Sequence, residues 1–364
     1  MKIGIIDADL LDKGTRHPNL ALMKISGYHK SLGNQVKLLF DYIEINSYER
    51  VYISKVFSFT KVPINVNEYG NLVLGGTGWP EFDKELPKAI EHYMPDYDLY
   101  NDFISYRISL GDKSKKYKDY QNYSIGFTTR GCFRKCEFCV NKKYDSVVKH
   151  SPVKEFLDNN RPYIYLWDDN FLAFKNWKEV LLELEETKKP FQFRQGLDIR
   201  LMTDEKANLL SKSKYHGDFI FAFDYIHDRP IIERKLKLWR EHTLKTTKLY
   251  VLTAYESQDI SDIENAFARI QILMTYGCLP YIMRYEDYLQ SEFKSMYIHL
   301  ARWCNQPRIF KKMSFRQFAE ASQKYHANKN TTCSVLKVVN YFDEHYPEIA
   351  DKYFDLRYED LKNY

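Results

Sequence analysis

At 364 residues the chain is long enough for two or three domains with sizeable cores. Its 54 Lys and Arg stand against 49 Asp and Glu, a formal net charge of +5 that is too small over this length to argue for nucleic-acid binding by itself. No apolar run approaches membrane-spanning length, and Met1–Asp7 reads as a strand, not a signal peptide, so a reducing, cytoplasmic setting with no membrane association is expected.

The first hundred residues alternate strand-like and helix-like stretches: strands at Lys2–Ile6, Gln35–Phe40, Val51–Phe57 and Leu72–Gly76, with a helix over Leu20–Leu32 closed by Gly33. Alternation of this kind predicts crossover units and a parallel sheet. The lysine-rich stretch Leu110–Asp119 reads as a linker. A second alternating series follows, with strands at Tyr123–Thr128, Tyr163–Trp167, Phe191–Leu197, Phe219–Phe223, Lys248–Thr253 and Pro280–Tyr285. Helices are predicted between them at Val153–Asn159, Trp177–Lys188, Thr203–Ser213, Ile231–His242 and Ser261–Tyr276. Six such strands imply a parallel, curved or barrel-like sheet with its site at the strand C-termini. Beyond residue 290 the pattern is helical, over Glu292–Trp303, Ser314–Tyr325 and Thr331–His345. In Arg302–Lys312 basic and aromatic residues interleave, which reads as a helix-packing corner before a nucleic-acid contact.

Cys132, Cys136 and Cys139 crowd into one loop after the first strand of the second series. Three thiolates are one short of a closed tetrahedral zinc site, and no second Cys/His pair follows at zinc spacing. A cluster held by three cysteines keeps one iron open. Cys278, Cys304 and Cys333 stand alone and read as small buried hydrophobes.

The C-x3-C-x2-C spacing, with Phe138 just before the last cysteine, resembles the signature of the radical S-adenosylmethionine (radical SAM) superfamily. The resemblance implies an N-terminal Rossmann-like, cobalamin-binding-like domain (1–110), a partial (β/α)6 barrel (120–290) and a helical C-terminal domain (291–364). It implies a transferase-type enzyme whose Cys132, Cys136 and Cys139 hold a 4Fe-4S cluster that cleaves S-adenosylmethionine. The expected partners are a flavodoxin or ferredoxin as electron donor and a small molecule, nucleobase or peptide as substrate. For the cofactor pocket the resemblance points to Phe138, to Asp168 and Asp169 without choosing which faces inward, and to Asp198, Arg200, Asp224 and Arg234. Arg130, just before the cysteine loop, and Tyr250, Tyr281 and Arg284, at the barrel mouth, are further candidates. In the first loop of the N-terminal domain, Asp9-Leu10-Leu11-Asp12-Lys13-Gly14, Leu11 falls where the family's histidine-ligated cobalamin domains carry histidine, so any bound cobalamin is expected to lack that ligand. His17 reads as a surface residue. The methylthiotransferase branch is disfavoured, because no cysteine precedes Cys132. The competing class is a zinc-binding, non-catalytic nucleic-acid adaptor.

Overall fold

The computed structural model describes residues 1–82, 84–326 and 331–364, which fall into two compact units. The first comprises residues 1–128, 150–167 and 186–191, the second 129–149, 168–185 and 192–364.

In the first unit β1 (Lys2–Asp7), β2 (Gln35–Leu38), β3 (Arg50–Ser54) and β4 (Leu72–Gly75) form a parallel sheet in the order β2-β1-β3-β4. Ile3, Ile5 and Ile6 are all fully buried, because helical crossovers leave the central strand of such a sheet no wet face. The helix Leu20–Ser31 is capped by Asn19, whose side chain accepts from Leu22 N, and Gly33 ends it with φ +75°. Two stretches depart from expectation. Leu110–Asp119 is not a linker: it winds into a 3-10 turn over Ser114–Tyr117, and Tyr117 and Tyr120 are buried in the core beside Phe103 and Ile104. Within it Asp112 accepts from Arg107, Lys116 and Tyr117. The helix expected at Val153–Asn159 is a single 3-10 turn, Val153–Glu155. Asp158 there accepts from the backbone N–H of Asn160, an Asx turn that competes with helix continuation.

The second strand series is present in full. β5 (Tyr123–Gly126) is followed by the two-residue antiparallel pair β6 (Thr129–Arg130) and β7 (Val148–Lys149), and then by β8 (Tyr163–Leu166), which pairs in parallel with β5. β9 (Phe191–Phe193) completes a sheet in the order β5-β8-β9. In the second unit β10 (Phe219–Ala222), β11 (Thr247–Thr253) and β12 (Leu279–Arg284) form another parallel sheet. Within the second unit an isolated parallel bridge pairs Leu197 with Phe221 of β10. The intervening helices bury one stripe each: Val180, Leu181 and Leu184; Ala207 and Leu210; Ile232, Leu236 and Trp239; Ile263, Ala266, Phe267 and Ile270.

Helices follow over Lys294–Cys304, Phe315–Lys324, Ser334–His345 and Pro347–Tyr353. Ser314 and Gln317 form a capping box at the second of these. Phe267 stacks on Tyr353, joining these helices to the strand-bearing part of the same unit. In the Arg302–Lys312 segment Trp303 and Phe310 are core residues, and Trp303 Nε1 donates to Met313 O. Cys278, Cys304 and Cys333 are buried free thiols. Among the described residues no helix is long and apolar enough to cross a membrane.

Candidate metal centre

The cysteine loop opens from β6 through Gly131, whose φ is +97°. A Cβ there would lie 2.4 Å from Ser146 O, so only glycine lets the chain turn under its own returning segment. The loop is cross-tied from within. Lys135 Nζ donates to the carbonyls of Lys142 and Tyr144, Lys142 Nζ donates to Glu137 O, and Cys139 N donates to Cys136 O.

The segment after β8 clasps this loop residue by residue. Asp168, 1% exposed, accepts at one carboxylate oxygen from both Thr129 N and Thr129 Oγ1, each at 2.6 Å. Asp169 accepts from Gly131 N at 2.7 Å and lies 3.5 Å from Arg130 Nε. Asn170 Nδ2 donates to Cys132 Sγ at 3.2 Å. Three consecutive side chains thus grip the root of the cysteine loop. Both aspartates hold loop backbone, with Asp168 the fully buried one.

The sulfurs themselves receive donors. Besides Asn170, Arg134 N donates to Cys132 Sγ and Asn141 N to Cys139 Sγ, both at 3.4 Å. Burial pushes the Cys136 thiol up, opposed by the nearby Arg200 charge. Among the described residues no three His, Cys, Asp or Glu side chains converge closely enough to hold a single ion. Thiolates of an iron-sulfur cluster bind separate irons and stand apart, and N–H groups aimed at cysteine sulfur are how proteins tune such clusters. Three cysteines with N–H groups aimed at two of their sulfurs are a donor set that fits a cluster.

Around the loop, Asp198 sits between Arg134, with which it makes a tight ion pair, and Arg200 at 2.8 Å. Arg200 also reaches Asp228 at 2.7 Å. Burial works against the Arg200 charge, but its bonds to Asp198 and Asp228 outweigh it and hold its pKa above the ordinary value. Burial likewise pushes Asp224 up to about 6 against the pull of Arg269 and Arg200. Phe138 meets Tyr225 and Tyr255, with ring centroids at 6.0 and 5.4 Å. Tyr250 and Tyr281 are register partners on β11 and β12, and Arg284 lies over the Tyr288 ring. Arg234 stands apart, exposed on the helix Arg229–His242 with no ion pair among the described residues. Asn170, Arg134, Tyr225 and Tyr255 were not singled out by sequence reasoning. The signal available for Asn170 was an amide directly after paired aspartates at a strand end.

In the first unit, the carboxyl edge of the sheet is closed by its own acids. Asp9 accepts from Val56 N, Phe57 N and Thr60 Oγ1. Burial pushes Asp7 up to about 6 although Tyr100 OH and Leu10 N donate to it. Leu11 packs against both hydrophobic clusters flanking the sheet. His17 is not a surface residue: its ring meets Tyr165 and Trp167 edge-on and its Nδ1 lies 3.3 Å from Asp119. Pro18 is buried beside it, which draws the imidazole inward.

The chain is thus an α/β protein of parallel sheets with a three-cysteine loop that follows a strand C-terminus. No family model matches it, and no curated protein does. Among solved structures it shares its fold with the radical S-adenosylmethionine methyltransferase TsrM from Kitasatospora setae, with tryptophan substrate and a SAM analogue bound: TM-score 0.50 and 13% identity over 77% of this chain and 72% of that one. The same methyltransferase with cobalamin and a [4Fe-4S] cluster bound gives 0.49 and 12%, over 78% and 74%. SuiB from Streptococcus suis bound to S-adenosylmethionine gives 0.34 and 11%, over 61% and 62%.

Proposed function

We propose that the chain is a radical SAM enzyme whose Cys132, Cys136 and Cys139 hold a 4Fe-4S cluster, and that it modifies an organic substrate, with methyl transfer as the first reaction to test. The observation that carries this reading is the loop itself: three cysteines in an eight-residue run, the sulfurs of Cys132 and Cys139 met by N–H donors, clasped by Asp168, Asp169 and Asn170. When bound, a cluster with one open iron supplies reductive cleavage of S-adenosylmethionine to a 5'-deoxyadenosyl radical.

The chain's own residues would do the rest. Gly131 and the Asp168 and Asp169 clasps hold the thiolates in place. Phe138, Tyr225 and Tyr255 form an aromatic wall beside the loop that offers a face to adenine. The Arg134, Asp198, Arg200 and Asp228 chain presents fixed charge next to Cys136, where it would orient a zwitterionic amino-acid group. Residues 1–110, within the first unit, are the proposed cobalamin-binding-like domain, with no imidazole offered from position 11 and His17 engaged by Asp119. A flavodoxin or ferredoxin is the proposed electron source.

Anaerobic reconstitution tests this reading. Loading of about four irons per chain is expected, lost on replacing any of the three cysteines with Ala. The reduced protein should then release 5'-deoxyadenosine, or S-adenosylhomocysteine if it transfers methyl. A triple cysteine variant that kept full iron and its visible charge-transfer band would refute the assignment.

A further inference from the structure

Asn170 is 3% exposed and held from both sides along the chain. Asp168 and Asp169 precede it in their clasps on the cysteine loop, and Phe171 follows, fully buried and stacked on Phe193 at 4.2 Å. Its amide is therefore preorganised. Nδ2 donates to Cys132 Sγ at 3.2 Å, while Oδ1 is buried and meets no donor among the described residues. A thiolate carries no proton, so with Cys132 deprotonated only the NH2 face of the amide satisfies the sulfur; the flipped amide would set a carbonyl oxygen against it. The other donors to these sulfurs, Arg134 N and Asn141 N, are backbone groups that no side-chain substitution removes. Among the described residues Asn170 is the one side-chain donor to any of the three.

An N–H···S bond strengthens as sulfur gains electron density, and a dry pocket magnifies the effect. We propose that Asn170 is a positioning residue that raises the reduction potential of the cluster through Cys132 Sγ. This inference rests on the cluster reading above.

The test uses the full chain, anaerobically reconstituted, with an EPR-monitored redox titration of the parent, Asn170→Leu and Asn170→Asp. Leu removes the donor at similar size; Asp keeps the shape, removes the donor and adds charge. Because the Asp168 and Asp169 bonds to the loop backbone remain, both variants are expected to load iron. The reduction equilibrium constant should fall about tenfold in Asn170→Leu, 59 mV for a one-electron couple, and further in Asn170→Asp. If Asn170→Leu fails to load, Asn170→Asp carries the comparison. Variants that load fully and stay within twofold of the parent overturn the inference and leave the cluster reading standing. Failure of both variants to load makes Asn170 a structural support of the loop and overturns the inference. A parent chain that binds no iron overturns the cluster reading and this inference with it.

Discussion

Replacing Asp168 with Ala would strip the acceptor from two donors at once. Thr129 is fully buried, so its N–H and Oγ1–H, both bonded at 2.6 Å to one carboxylate oxygen, would have no water to turn to. Each orphaned buried donor costs about 1–3 kcal/mol, which puts the local loss at about 2–6 kcal/mol. Because the cost falls on the root of the cysteine loop, the suitable assay is native-state hydrogen exchange of the Thr129 amide. At 1.4 kcal/mol per tenfold, even the lower figure accelerates exchange about 25-fold. Asp168→Asn keeps an oxygen acceptor but loses the charge assistance, which is about half the strength of such a bond, so its acceleration should be smaller. Iron loading should follow the same order: parent, Asn variant, Ala variant. Thr129 protection within threefold of the parent in Asp168→Ala would show that the clasp does not hold the loop.

Gly131→Ala should be more damaging than its size suggests. The left-handed φ costs a side chain about 1–3 kcal/mol, and its Cβ meets Ser146 O at 2.4 Å, so reconstituted iron content should fall sharply while the first unit keeps its protease resistance. Retained iron would show that the turn adapts. The raised Asp7 pKa makes a signed pH effect. The folded chain binds a proton that the unfolded chain releases between 3.8 and about 6, so this contribution to stability is present at low pH and lost as pH rises through 6. Asp7→Asn removes that loss and should be more stable than the parent at pH 8, by up to about 3 kcal/mol, and equal to it near pH 4. Urea midpoints at the two pH values measure this; a gain that is the same at both would mean Asp7 is not the titrating group.

Much of this protein is legible without coordinates. Short apolar runs alternating with stretches of helical apolar spacing mark all six strands of the second series and the four of the first, because each strand or helix must bury apolar surface whatever its neighbours are. The cysteine loop is legible for a different reason: its three cysteines are close neighbours in sequence, so spacing alone brings them into one loop. Contacts that join distant positions are not. The grip of Asp168, Asp169 and Asn170 on Thr129, Gly131 and Cys132 spans 38 or 39 residues, and no periodicity encodes it. Arg234 was plausible from its place after a strand end, yet helix rotation points it to solvent. Leu110–Asp119 reads as a solvated linker by composition, but two tyrosines in and next to it, Tyr117 and Tyr120, find a core to enter. What composition and spacing determine by themselves is therefore the elements and the crowding of three cysteines in one loop, since both depend on near neighbours in the chain. Which carboxylate faces backbone, which amide faces sulfur and which tyrosines of a lysine-rich region enter the core were decided only by tertiary packing, because each depends on a partner that the local sequence does not contain.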